Sequence, residues 1–167
     1  MKNELTRQDI EMMRAEMENI RLNIMPGVIE EVKRTRAFGD LSENDEYKTA
    51  KREQNHYRSR MRYLEGMIKT AKVIDDRSGE GEVGLYDKVE IFIPEDGETE
   101  TISVVTTVRC DPRRGLISME SPFGQSVLGR KVGETIHVQV NDSYGYDAVI
   151  KKITKGEDDG SAPLMEY

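Results

Sequence analysis

YKTAKREQNHYRSRMRYLEGMIKTA, residues 47–71, decides how the first half of the chain folds. Tyr47, Ala50, Gln54, Tyr57, Met61, Leu64, Ile68 and Ala71 recur at alternating steps of three and four through seven intervals. That spacing places them on one stripe of an α-helix, the seam of a coiled coil. The only glycine, Gly66, falls off the seam. Upstream, Ile10, Met13, Met17, Ile20 and Ile24 repeat the same three-four rhythm. Thr6, three residues ahead of Asp9, offers a near capping box for the start of that helix. Pro26 lacks an N–H and its ring clashes with the preceding turn, so the helix should kink or restart there, with Val28, Ile29 and Val32 resuming the apolar face about one residue out of register.

Two such seams joined by a short glycine-containing turn make an antiparallel helical hairpin. The 28 residues from Ile10 to Phe38 give it a reach of ~42 Å at helical rise. A hairpin of that length is expected to project, with residues 38–46, FGDLSENDE, at its tip. The turn crowds Asp40, Glu43, Asp45 and Glu46 into seven residues. Ser42 is the expected N-cap of the second helix, with Asp45 and Glu46 favouring its positive end. That capping role leaves Asp40 unexplained.

DDRSGEGEVG, residues 75–84, reads as a linker, giving an expected boundary between residues 1–78 and 79–167. Beyond it the period shortens. VGLYDKVEIFI, TETISVVTTVRC, GLISMES, TIHVQV and YDAVIKKI are short β-branched runs, with EDGE (95–98) and CDPRRG (110–115) as turns. Ser121 and Pro122 should cap and start one short helix. The fold class is therefore α+β: an N-terminal coiled-coil hairpin and a small antiparallel β domain with one short helix. The tail, residues 156–167, is expected to be frayed.

Charge divides the same way. Residues 1–78 carry 16 basic and 15 acidic side chains, a net of +1, and residues 79–167 carry 9 and 17, a net of −8. The second helix concentrates the bases: from Tyr47 to Ile74 there are eight basic residues and two acidic ones. Lys48, Lys51, Arg52, Arg58, Arg62, Lys69 and Lys72 share one arc beside the seam, whereas Arg60 lies elsewhere. Such a stripe suits either a solvated flank or a polyanion presented by a partner. An overall net charge of −7 argues against general nucleic-acid binding. The single cysteine, Cys110, excludes an internal disulfide framework and a cysteine-rich zinc site, and fits a reducing cytoplasm. No signal-peptide core or run of 18 apolar residues is present, so a membrane is not an expected partner. His56 and His137 read as ordinary surface or sheet residues.

RAFGDLSENDEYKTAKREQ (36–54) together with SPFGQSVLGRKVGETIHV (121–138) resembles the Gre family of bacterial transcript-cleavage factors, on its GreA-like branch. The resemblance spans nearly the whole chain and implies an FKBP-like C-terminal domain. It implies bacterial RNA polymerase as partner, entered through the secondary channel, with the hairpin tip brought to the extruded 3′ end of the nascent RNA in backtracked or arrested complexes. The factor would stimulate the polymerase's own endonuclease activity and would not be an enzyme itself. Asp40 and Glu43 match the family's two catalytic acidic positions and would share Mg²⁺ with the polymerase. Ser121, Pro122, Phe123 and Gly124 match the polymerase-binding motif, and Lys51, Arg52 and Arg58 are the expected contacts to RNA or channel wall. Asp45 stands where the family commonly has alanine. Acid-rich Gre-like paralogues inhibit, so a channel-blocking inhibitor is the alternative. An FKBP-like isomerase would need an aromatic-lined apolar pocket, and the second half offers only Phe92, Phe123 and some tyrosines.

Overall fold

The structure, a computed structural model, describes residues 3–39 and 44–166. The chain divides into two compact units. One holds Ile10–Lys72. The other joins Glu4–Asp9 to the residues from Val73 onward.

Helix α1 (Arg7–Asn19), which enters the first unit at Ile10, runs into a π-helical turn, Ile20–Ile24, and then into α2 (Met25–Arg36), while α3 (Asp45–Lys69) returns antiparallel. The π turn is the local answer to Pro26, which sits in the first turn of α2. The Met25 N–H reaches back five residues to the Ile20 carbonyl, so one extra residue is accommodated before the proline. The buried positions record that insertion. Met13, Ile20, Val28 and Thr35 are all buried, at spacings of seven, eight and seven. Opposite them Ala50, Gln54 and Leu64 are buried on α3. The apolar repeat overran the helix at its end: α3 stops at Lys69, and Ala71 belongs to strand β2 (Ala71–Val73), which pairs with β1 (Asn3–Leu5). Arg60, outside the basic arc, is buried and ion-paired with Glu16 at 2.7 Å.

The second unit is a five-stranded sheet in the order β5-β4-β3-β7-β6, built from β3 (Lys88–Ile93), β4 (Glu98–Val105), β5 (Leu116–Ser118), β6 (Thr135–Asn141) and β7 (Tyr144–Thr154). Alternation puts Val89 and Ile91, Ile102 and Val104, Ile136 and Val138, and Ala148 and Ile150 into one core with Val83, Leu85 and Val127. Tight turns close the hairpins. Gly97 (φ 69°) ends the β3–β4 turn in the left-handed region, where its N–H donates to the Ile93 carbonyl at 2.8 Å. The wholly antiparallel expectation is corrected at one pair: β5 runs parallel to β4, Ser103 opposite Leu116. Two 3₁₀ turns, Thr107–Arg109 and Pro112–Arg114, carry the chain around so that it re-enters the sheet in the same direction. Strand direction depends on that connection and leaves no trace in a two-residue period.

Two segments expected to be loose are parts of this unit. The stretch read as a linker supplies Val83, 1% exposed. It is tied down by the fully buried Asp87, which accepts from the Gly84 N–H at 2.7 Å, the Gly156 N–H at 2.9 Å and Lys155 at 2.6 Å. The tail read as frayed is docked on Arg109. Its Nε donates to the Ala162 carbonyl at 2.6 Å, and its two terminal nitrogens donate to the Asp158 carboxylate, each at 2.8 Å. Arg109 also donates to Asp9 at 3.0 Å, and both of these side chains are fully buried. That contact explains why Glu4–Asp9 folds with the second unit and not with the rest of residues 1–78. The expected capping box is present: Thr6 N–H donates to Asp9 Oδ2 at 2.8 Å, and Asp9 N–H to Thr6 Oγ1 at 3.1 Å.

Arg109→Met keeps the volume but strips the cation from two carboxylates. Removing one partner of a buried ion pair costs on the order of 3–5 kcal/mol. Denaturant unfolding of the variant should show a loss of that size.

Candidate functional site

The hairpin tip is built from the helix ends inward. At the end of α2, Phe38 N–H donates to the Thr35 carbonyl at 3.1 Å, and Gly39 adopts φ 104°, a conformation L side chains avoid. At the start of α3 the N-cap is Asn44, whose Oδ1 accepts from the Tyr47 N–H at 3.0 Å. Ser42, the expected cap, lies outside the described residues, and Asp45 and Glu46 form the first turn. Asn44 does a second task that no capping rule signals. Its Nδ2 donates to the Thr35 carbonyl of α2 at 2.7 Å, so one carboxamide satisfies both helix termini across nine residues.

Arg34 organises the outer face of the tip. It holds Glu31 through two hydrogen bonds of 2.9 and 2.6 Å, lies 3.7 Å from Glu46, and stacks 5.1 Å from the Phe38 ring centroid. The hydrogen bonds from Arg34 draw the Glu31 pKa below the ordinary carboxylate value. Phe38 remains 56% exposed. A groove of about 370 Å³ beside the tip is lined by Glu31, Asp45, Glu46 and Glu53 with Arg34. Asp40 and Glu43, the expected catalytic pair, lie outside the described residues. Among the described residues no group of three or more His, Cys, Asp or Glu side chains is placed to hold a metal ion.

Along α3 the basic stripe is divided. Lys51 is half-buried and donates to Gln54 at 3.1 Å. Arg52 and Arg58 are exposed. Arg58 and Arg62 converge with Arg21 from the π turn around a groove of about 440 Å³ floored by Ile20, Met25 and Met61. Arg21 escapes a reading of α3 alone, because it comes from the other helix at a position set by the inserted residue.

In the sheet unit, SPFG is a capped helical turn, α4 (Pro122–Val127). Ser121 Oγ accepts from the Gly124 N–H at 3.0 Å and donates to the Ser118 carbonyl at 2.7 Å. Phe123 packs half-buried against the sheet core. Gly124 is buried, and a Cβ there would run into the Ser118 carbonyl oxygen. Pro122 is the exposed member of the four. Ser121, Phe123 and Gly124 thus each have a packing reason to be there.

His137 is an exposed sheet residue, as expected. Its Nδ1 pairs with Asp147 at 2.7 Å and its Nε2 with Gln139 at 3.0 Å. The Asp147 hydrogen bond foremost, then Gln139, raises its pKa above 6.5.

These observations define a two-unit α+β protein, a helical hairpin and a sheet domain. The family model described as "Transcription elongation factor, N-terminal" matches residues 3–73, and "Transcription elongation factor, GreA/GreB, C-term" matches residues 78–155. The chain is 41% identical over 135 residues to the transcription elongation factor GreA of Bacillus velezensis, covering 81% of this chain and 86% of that one. It is 39% identical over 135 residues to GreA of Bacillus subtilis, with the same coverage. It is 37% identical over 145 residues to GreA of Mesoplasma florum, covering 86% and 93%. The chain belongs to the GreA/GreB family of transcription elongation factors.

Two tests follow from this geometry. Serine caps a helix as well as asparagine does, whereas alanine forfeits about 1 kcal/mol. Asn44→Ser should therefore lose only the cross-helix hydrogen bond, about 1 kcal/mol, and Asn44→Ala about twice that, read from chemical denaturation. The raised pKa of His137 means its charged form favours the fold. That contribution is fully present below about 6.5 and is lost as pH rises through the raised folded value. The NMR titration midpoint of His137 should fall toward the ordinary value in Asp147→Asn.

Proposed function

We propose that this chain binds bacterial RNA polymerase through its secondary channel and stimulates cleavage of the 3′ end of nascent RNA in backtracked or arrested complexes. The observation that carries this reading is the match of both halves to the family models, joined to a hairpin whose turn bears the run of acids. The chain acts as a factor on the polymerase's own nuclease and is not itself the enzyme. No described helix is long and apolar enough to cross a membrane, and the cytoplasm, where the polymerase works, is the proposed compartment.

Asp40 and Glu43 are the proposed pair at the reacting centre. Carboxylate oxygens are the donors Mg²⁺ takes, and it retains several other ligands from water, phosphate or a partner. Two carboxylates at the end of a hairpin therefore suit an ion shared with the polymerase. When bound, that ion supplies an activated water and charge stabilisation for phosphodiester hydrolysis. The Asn44 clamp supports this reading by fixing the helix ends on either side of residues 40–43. The chain's own work is to bring the acids forward on a rigid hairpin. Lys51, Arg52 and Arg58 would meet RNA or the channel wall, Arg52 and Arg58 being the freer two. On α4, Pro122 offers the exposed contact to polymerase, while Ser121, Phe123 and Gly124 shape the turn that presents it.

One observation favours a second reading. The Asp45 side chain is 94% exposed, and among the described residues its ion-pair partner is Lys48, at 3.9 Å. An extra exposed carboxylate there would suit a channel-occupying inhibitor. Mg²⁺-dependent cleavage of backtracked complexes at saturating factor separates the two. The parent should accelerate cleavage, and Asp40→Asn and Glu43→Gln should each reduce the stimulation by ~10²–10³-fold while competing normally for polymerase. Carboxamide variants as active as the parent would remove the acids from the chemistry. A parent that blocks cleavage would establish the inhibitor.

A further inference from the structure

The family model for the second unit ends at residue 155, yet the chain beyond it is neither bare nor frayed. Asp158 forks onto Arg109 with two 2.8 Å hydrogen bonds, and its own loop shapes the carboxylate, Gly160 N–H donating to Oδ1 at 3.0 Å. Ala162 is 5% exposed, and its carbonyl receives Arg109 Nε. Met165 N–H donates to the Val108 carbonyl at 2.7 Å. The tail therefore grips the backbone and the side chain of the same short turn.

The other side of Arg109 faces the opposite end of the chain. Asp9 divides its two oxygens: Oδ1 accepts from Arg109, and Oδ2 accepts from the Thr6 N–H that opens α1. The carboxylate that completes the capping box is thus oriented by a guanidinium whose three other hydrogen bonds go to the tail. Gln8 also lies against the tail: a Cβ on Gly160 would stand 3.1 Å from Gln8 Nε2. Burial works against the charge of Arg109, whereas the hydrogen bonds to Asp158 and Asp9 are among the interactions that favour it, and on balance its pKa is raised.

We propose that residues 156–165 are a strap that holds the first turn of α1 closed through Arg109, coupling the two ends of the chain by one side chain that belongs to neither. Asp158 contributes half of the charge that lets Arg109 stay buried, and Ala162 fixes the plane of the guanidinium. Together they keep Arg109 Nη1 aimed at Asp9. With the strap gone, water can reach Arg109, and the hold of Asp9 on Thr6 weakens although neither residue has been altered.

Site-resolved amide hydrogen exchange on the full chain tests this. Three variants are compared with the parent: Asp158→Asn, a chain ending at Lys155, and Asp158→Glu, which keeps the charge. Loss of a charged hydrogen bond should open the turn, so the Thr6 and Asp9 amides should exchange about tenfold faster or more in the first two. The Ile91 and Ile150 amides in the sheet should be accelerated less than those of Thr6 and Asp9, and Asp158→Glu should restore most of the protection. Thr6 and Asp9 exchanging at the parent rate without the strap would overturn the proposal. So would a uniform acceleration that includes Ile91 and Ile150 in both Asp158→Asn and the shortened chain, because it would mark a general loss of stability and not a link between the ends.

Discussion

A guanidinium with no exposure to water is the constraint from which the sheet unit takes its limits. Burying a charge is expensive unless it is paired and hydrogen-bonded. Arg109 meets that demand with Asp9, Asp158 and the Ala162 carbonyl. Those partners lie 100, 49 and 53 residues away. The Tyr86 ring, 5.3 Å from the guanidinium, closes another side, and burial pushes the phenol upward while Arg109 opposes the shift. Short side chains could have closed the turn after β4. A long cationic one instead draws the beginning and end of the chain into one folded unit. Asp87 and Lys155 repeat the device on a smaller scale, stitching the chain after residue 75 to the end of β7.

The hairpin rests on a different kind of constraint, a repeat that must survive a proline. One residue inserted as a π turn keeps Ile20 and Val28 on the same buried face. The same insertion brings Arg21 beside Arg58 and Arg62. At the other end a single amide, Asn44, terminates α2 and initiates α3. The described tip is thus stiffened by contacts among its flanks: the Asn44 bridge, the Arg34 fork and the buried Thr35. The acids at Asp45 and Glu46 stay exposed.

Much of this was legible in the amino-acid order. Steps of three and four placed the hairpin, its two helices and the capping box of Thr6 and Asp9. Short β-branched runs between turn signals placed the strands of the second half, and Ser121–Pro122 marked α4. These features are local, each settled by side-chain direction over a few neighbouring residues. The motif around residues 36–54 and its companion at 121–138 supplied the resemblance to the family, because paired motifs carry information that periodicity does not.

Tertiary structure alone decided the rest. Glycine and charge at 75–84 and 156–167 read as linker and frayed end, yet Val83, Asp158 and Ala162 are held by Asp87, the sheet core and Arg109. The parallel direction of β5, the bridge from the Asn44 cap to α2, and the meeting of Arg21 with Arg58 have the same origin. Each depends on residues far apart in sequence coming together, and neither composition nor a local period shows which distant residues will meet. Hydrophobic period determined what this protein's elements are; long-range hydrogen bonds and buried charges, each of which must be satisfied once water is excluded, decided how the ends and connections of those elements close.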